Sequence, residues 1–297
     1  MNLRQLLELL VLSSLWGASF LFMRIGAPEM GPVVLIAIRT LVAGLFLLPF
    51  LLWYNSHRGV RRHLPVIALV GVIGSAMPFA LIAWATLTVT AGYASILNAT
   101  TPMFGALVAW IWLGERLSPS GIIGLLIGFA GVFVLVWGRG EMPTPELGTA
   151  VAAALTATLL YALAAATTKR YLAEVHPLTL ATLSQLFAAL SLLPLALFAM
   201  PGQMPSAGAW WSVILLGIAS TGVAYVIYFN LLGQVGPTKT LTVTYLIPAF
   251  GLLWGWLFLG EGVTWSMLSG CALILLGVGL TTGVLVRRRR GVMTGGG

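Results

Sequence analysis

Asn98 to Gly121 reads NATTPMFGALVAWIWLGERLSPSG, and the chain says it twice. Shifted by 146 residues, it falls without a gap on TYLIPAFGLLWGWLFLGEGVTWSM, Thr244 to Met267. Pro102 meets Pro248, Phe104 meets Phe250, Gly105 meets Gly251 and Trp110 meets Trp256. The triplet Leu113-Gly114-Glu115 meets Leu259-Gly260-Glu261, and the same shift carries Gly71 to Gly217, Gly124 to Gly270 and Gly131 to Gly277. Earlier in the chain the shift is 145: Trp16 meets Tyr161, Arg24 meets Lys169, Pro32 meets Pro177 and Pro49 meets Pro194. A chain that repeats half of itself within apolar sequence predicts a membrane protein built by internal duplication.

Composition agrees. The 297 residues are 59% hydrophobic and 7% charged, with a mean hydropathy of +1.02. Soluble domains carry about 25% charged residues, so lipid must be the solvent for most of this chain. Asp is absent, and the seven acids are all Glu, each at or near the end of an apolar run. The net charge of +8 does not point to nucleic acid, because the basic residues sit in short loops and a terminal run, where they orient a membrane protein. The one cysteine, Cys271, lies within an apolar segment and has no partner for an intrachain disulfide. His57, His63 and His176 form no metal-ligand pattern. There is no G-x-S-x-G elbow, H-E-x-x-H motif or P-loop. The expectation is therefore a protein that is not an enzyme and has no metal or cofactor.

A spanning helix needs about 20 apolar residues. Ten segments qualify: 5–23, 33–54, 65–85, 91–113, 119–137, 147–168, 178–199, 209–230, 238–259 and 264–286. The first is too long for a signal peptide and lacks a small-residue cleavage site. With a cytoplasmic N-terminus, the cytoplasmic side receives Arg4, Arg58, Arg61, Arg62, Arg116, Lys169, Arg170, Lys239 and Arg287 to Arg290, while the opposite side receives Arg24 and Arg139. That asymmetry predicts ten helices with both termini in the cytoplasm. The helices form two fives: residues 1–139 and 147–287, joined by a linker at 140–146 and followed by a basic tail at 288–297. Because five is odd, the second half is inverted relative to the first. The expected fold is all-α and membrane-integral, two inverted five-helix repeats around a central cavity.

The segments WGASF at 16–20, TPMFGALVAWIWLGERLSPSGIIGLLIGFAGVFVL at 101–135 and IPAFGLLWGWLFLGEGVTWSMLSGCALILLGVGL at 247–280 resemble the EamA family of the drug/metabolite transporter superfamily. The resemblance covers nearly the whole chain and is nearest to the YddG-type amino-acid exporters. It implies ten helices, a bacterial inner-membrane location and a cavity lined by the first four helices of each half, with the fifth outside.

Candidate site residues follow from position in the spans. Arg39 is the ionisable residue inside a span; a charge there should face protein or water and could contact a substrate carboxylate. Its repeat mate is Ser184. Pro102 and Pro248 each remove a backbone donor and free the carbonyl four residues earlier, that of Asn98 or Thr244. Both prolines are read as hinges. Tyr93, Ser95, Asn98, Thr100 and Thr101 precede the first; Thr240, Thr242, Thr244 and Tyr245 precede the second. The aromatic residues Trp16, Phe79, Trp84, Tyr161, Tyr225 and Tyr228 suit an amphipathic solute, and Ser19 lies in the WGASF segment. The expected substrate-binding set is Trp16, Ser19, Arg39, Phe79, Tyr93, Asn98, Thr101, Tyr161, Tyr225, Tyr228, Thr244 and Tyr245. Glu115 and Glu261 each open a turn into the next helix, where a carboxylate can cap free N–H groups.

These readings converge on an inner-membrane secondary transporter exporting amino acids, aromatic and other neutral ones, or related metabolites by alternating access. Two alternatives stay open: a carrier of nucleotide sugars, phosphorylated metabolites or drugs, and a non-transporting membrane scaffold. The expected partners are a small-molecule substrate and the lipid bilayer, with no nucleic acid and nothing that requires more than a monomer.

Overall fold

The computed structural model describes residues 1–53, 60–138 and 144–285. Tyr54, His57, Arg58, Arg139, most of the linker from Gly140 and the Arg287–Arg290 run lie outside the described residues. Ten helices follow in order among the described residues: α1 (Leu3–Met30), α2 (Pro32–Trp53), α3 (Val60–Ala85), α4 (Ala91–Leu113), α5 (Pro119–Trp137), α6 (Pro145–Tyr171), α7 (Pro177–Phe198), α8 (Ala207–Val235), α9 (Val243–Leu259) and α10 (Trp265–Thr281). A single helical turn, Pro237–Thr240, precedes α9. Eight of the helices are long and apolar enough to cross a bilayer, and the two shorter ones, α9 and α10, have 17 residues each, the lower end of the spanning range of about 17–25. This is a ten-helix membrane protein.

Local chemistry fixes the helix ends. Thr90, Ser118, Thr144, Ser206 and Thr264 each cap a helix N-terminus with a side-chain oxygen. In the Leu-Gly-Glu turns, Gly114 and Gly260 close α4 and α9 in the left-handed region, at φ 71° and 63°, where glycine carries no Cβ penalty. The Gly114 and Glu115 amides both donate to the Ala109 carbonyl, and the Gly260 and Glu261 amides to that of Gly255, which pairs these end-of-helix carbonyls. The expected capping of the next helix by these glutamates does not occur. Ser118 and Thr264 already hold those N-termini, which leaves both carboxylates free to reach elsewhere.

Two helices carry a π-helical turn: α3 over Val72–Ala76 and α8 over Ile218–Val223. These turns are repeat mates at the 146-residue shift. A π turn widens the helix and is often found at functional sites.

The strongest packing joins one half to the other, in pairs that obey a pseudo-two-fold axis. Helices α2 and α7 lie against each other, as do α5 and α10. The contact of α1 with α9 is mirrored by α6 with α4, that of α1 with α8 by α6 with α3, and that of α2 with α8 by α7 with α3. The α5–α10 seam is close enough to need glycine: a methyl group on Gly124 would lie 2.6 Å from the Gly277 carbonyl oxygen. Small residues permit this backbone approach in lipid. The seam removes the fifth helix of each half from the centre and leaves the others to enclose a space.

Candidate substrate cavity

That space is a cavity of about 460 Å³. Its lining comes from α1, α2, α3 and α4 of the first half and from α6, α8 and α9 of the second. The walls are mainly apolar and aromatic. Trp16 leans on Tyr228 with ring centroids 5.4 Å apart, and Phe79 meets the edge of Tyr161 at 6.0 Å. Trp16 and Tyr161 are repeat mates, so each half contributes one large ring from its first helix.

Arg39 stands in this wall, 3% exposed. Its guanidinium carbon lies 3.7 Å from the centre of the Phe79 ring, a desolvated cation–π contact worth about 2 kcal/mol or more. Nε donates to Thr221 Oγ1 at 3.1 Å, and Nη1 points at Met23 Sδ at 3.8 Å. Among the described residues no carboxylate pairs with it; the four ion pairs are Arg4–Glu8, Arg24–Glu261, Arg62–Glu174 and Lys169–Glu115. An unpaired buried cation costs several kcal/mol, and an anionic ligand would offset that cost.

The π turns set this geometry. In α8 the Thr221 hydroxyl donates to the carbonyl of Leu216, five residues back, at 2.8 Å, and so presents its oxygen to Arg39. In α3 the hydroxyl of Ser75, the repeat mate of Thr221, accepts from Gln185 Nε2 of α7 at 2.8 Å. Each half's second helix therefore reaches a hydroxyl in the π turn of the other half. The cationic arm exists on one side only: Ser184, the mate of Arg39, donates to the Ala181 carbonyl.

Of the twelve residues expected to bind substrate, the cavity brings together Trp16, Ser19, Arg39, Phe79, Asn98, Thr101, Tyr161, Tyr225, Tyr228 and Thr244, with Pro102 beside them. Tyr93 is elsewhere: it is fully buried, with its hydroxyl donating to the Leu135 carbonyl of α5 at 3.3 Å. Tyr245 lines a separate hollow of about 110 Å³ with Leu241 and Thr282, its hydroxyl 3.2 Å from Thr282 Oγ1. Trp84 is 42% exposed on the outer surface of the bundle, where an aromatic ring meets lipid. The carbonyl of Asn98 that Pro102 frees is already partly used, since Thr101 Oγ1 donates to it at 2.7 Å. The two prolines also differ. Helix α4 is interrupted by a turn at Ala99–Thr100, whereas α9 runs through Pro248 unbroken.

Sequence reading missed Gly74, Thr168, Ser220 and Thr221, all in the lining. Gly74 and Ser220 are repeat mates at the 146-residue shift, and so are Ser75 and Thr221. Small or hydroxylated residues at two adjacent positions, repeated at that shift, were the signal available for all but Thr168.

One end of the cavity is shut and the other is not. At the shut end the first part of α4 lies against α9, and residues Ala91 to Leu97 are all buried. There the Glu261 carboxylate accepts from the Ala91 amide at 2.9 and 3.0 Å. Arg24 lies 3.8 Å from Glu261 and donates to the carbonyls of Thr86 and Leu87. At the opposite end, the second part of α4 buries only Met103 and Val108. The smaller hollow lies here and shares Pro102 and Thr244 with the main cavity.

A ten-helix bundle with a polar-aromatic cavity on a pseudo-two-fold axis, shut at one end, is the architecture of a membrane carrier. The chain belongs to the EamA-like transporter family, whose model matches residues 5–137 and 148–283. It is 30% identical to the probable terminal-alkyne amino-acid exporter of Streptantibioticus cattleyicolor, across 95% of this chain and 94% of that one. It is 27% identical to the uncharacterized inner membrane transporter YedA of Escherichia coli K12 (96% and 92%). It is 24% identical to an uncharacterized transporter of Archaeoglobus fulgidus (92% and 95%). A solved crystal structure shares the fold with a TM-score of 0.67, at 23% identity, covering 98% of this chain and 100% of that one.

Proposed function

We propose that this protein is an inner-membrane secondary transporter that exports amino acids, aromatic and other neutral ones, or closely related small metabolites by alternating access. The observation that carries the substrate reading is Arg39, a cation buried in an aromatic-walled cavity with no carboxylate partner among the described residues. A substrate carboxylate on its guanidinium and an apolar side chain among Trp16, Phe79, Tyr161 and Tyr228 satisfy both features. The amino-acid exporter from Streptantibioticus cattleyicolor supports the same class. The volume of about 460 Å³ falls within the usual range for small-ligand sites, about 300–1,000 Å³. Phosphorylated substrates would call for several cavity cations, and the lining offers one.

The Glu115 end faces the cytoplasm in this proposal, because Arg4, Arg61, Arg62, Lys169 and Arg170 lie on that side. The structure is then open to the cytoplasm, ready to load an export substrate. Pro102 and Pro248 serve as the hinges about which α4 and α9 exchange their crossing.

The test is transport in liposomes holding the purified protein, loaded in parallel with labelled phenylalanine, threonine, methionine, a nucleotide sugar and a lipophilic cation, with and without a pH gradient. Amino-acid flux is expected, and Arg39→Ala should lower carboxylate transport by about tenfold or more, since a hydrogen bond to a charged group is worth about 1.5–3 kcal/mol. Flux of the sugar or the cation without the amino acids would overturn the substrate assignment.

A further inference from the structure

Formal charge around Arg39 does not cancel. The lining holds this one cation and no carboxylate. Five of the described carboxylates are engaged away from the cavity: Glu8 with Arg4 and Asn230, Glu29 with Ser206, Glu115 with Lys169, Glu174 with Arg62, and Glu261 with Ala91 and Arg24. Glu146 is exposed in the first turn of α6. Nη2 of Arg39 has no protein partner among the described residues, so the guanidinium retains donors for a ligand.

Beside Thr221, which holds Arg39, stands Ser220. It is 1% exposed, lines the same cavity, and its Oγ has no hydrogen-bond partner. Four other hydroxyls of the lining give their protons to their own helices: Ser19 to Leu15, Thr101 to Asn98, Thr221 to Leu216 and Thr244 to Leu241. A buried hydroxyl left unpaired is unfavourable. Ser220 thus has an uncommitted hydroxyl one residue along the chain from Thr221, which holds a cation with free donors in the same lining.

A carboxylate without an ammonium makes this cavity neutral. A zwitterion leaves it at a net charge of one, with an ammonium that finds only neutral acceptors. The carbonyl best placed by Pro102, that of Asn98, already accepts from Thr101. Against mainly apolar walls an ion without a counter-ion is penalised.

We infer that Arg39 and Ser220 form a carboxylate seat that reads the anion alone, so that aromatic or branched monocarboxylates lacking an α-ammonium bind here at least as tightly as the matching amino acids. Thr221 is a positioning residue for the seat, fixing the Arg39 guanidinium through Nε. The inference rests on the proposal that this cavity is the substrate site.

Isothermal titration of the purified full-length protein separates the two. Three ligands share one ring and chain: 3-phenylpropanoate, phenylalanine and phenethylamine, with 3-phenylpropanamide as a neutral reference. The expected order is 3-phenylpropanoate equal to or tighter than phenylalanine, with phenethylamine at least about tenfold weaker. Ser220→Ala should weaken both carboxylates by about two- to tenfold and leave the amide unchanged, a split that general loss of packing would not give. If phenylalanine binds and 3-phenylpropanoate is about tenfold weaker, the seat reads the ammonium and the inference falls while the cavity assignment stands. If Ser220→Ala leaves both carboxylates unchanged, Ser220 is not part of the seat. If none of the four binds, the substrate assignment itself fails and the inference with it.

Discussion

Glu261 and Glu115 occupy the same position in the two repeats, follow the same Leu-Gly pair, and end up in different surroundings. The Glu261 side chain is 11% exposed, held by the Ala91 amide and Arg24. The Glu115 side chain is 51% exposed and pairs with Lys169, the repeat mate of Arg24, out in solvent. The difference extends inward. A methyl group on Gly251 would meet Ser95 Oγ at 2.3 Å, while one on Gly105, its mate, would meet nothing within 4 Å. Duplicated sequence has produced a closed crossing of α4 and α9 at one end and an open one at the other. This is how one conformation of an inverted-repeat carrier should look.

The comparison also shows what exchange of the two ends cannot reproduce. The mate of Ala91 is Pro237, which has no N–H. Glu115 therefore has no equivalent amide to hold, even with its own end closed. The two ends share a scaffold but have unequal latches, and the stronger latch lies at the Glu261 end.

The largest effect should come from filling the crossing. Gly251→Val puts a side chain into Ser95 and should destabilise the protein by about 1–3 kcal/mol or more; Gly105→Val, in open space, should change stability by less than about 0.5 kcal/mol. Thermal unfolding of the purified variants measures both, and equal losses would erase the distinction between the ends. The latch comes next. Glu261→Gln removes a charge-assisted hydrogen bond worth about 1.5–3 kcal/mol, so exchange of the Ala91 amide should speed by about tenfold or more. Glu115→Gln removes an exposed pair worth about 0–1 kcal/mol and should leave that amide alone. Hydrogen-exchange mass spectrometry on peptides spanning Thr88–Gly92 reads the result. The smallest effect concerns the hinges. Pro102→Ala should slow turnover more than Pro248→Ala, because α4 is broken beside its proline and α9 is not. Neither substitution should weaken binding by more than a few-fold, as single-turnover flux and titration together will show.

Much of this was readable in the residues. Apolar run lengths marked out the helices, since lipid demands them, and the repeat shift paired Trp16 with Tyr161 and Glu115 with Glu261 before any contact was seen. Ten of the expected site residues share one cavity because mid-span polar or aromatic residues have few other places to go in a bilayer. The failures have physical causes. Tyr93 lies five residues from Asn98 and Tyr245 one residue from Thr244 in the same helical segments, which at 3.6 residues per turn puts each ring on another side of its helix from the residue that lines the cavity. The π turns, and with them Ser220 and Thr221, leave no mark on hydrophobic periodicity. Sequence places the glutamates at the nearest helix, but Ser118 and Thr264 cap it; Glu115 instead meets Lys169, 54 residues along the chain, and Glu261 accepts from Ala91, 170 residues away.

Alternating access by exchange of the two ends is tested most directly by distance. Spin labels at Thr88 and Gly262 report the Glu261 end, and labels at the repeat mates Gln234 and Arg116 report the other; all four positions are exposed. With Cys271 replaced by Ser, double electron–electron resonance in liposomes gives both distances with and without phenylalanine. The account predicts a short Thr88–Gly262 distance and a long Gln234–Arg116 distance without substrate, and the appearance of a second population with the two reversed when substrate is present. Distances that stay fixed under conditions of measured flux, or that lengthen and shorten together, would contradict it.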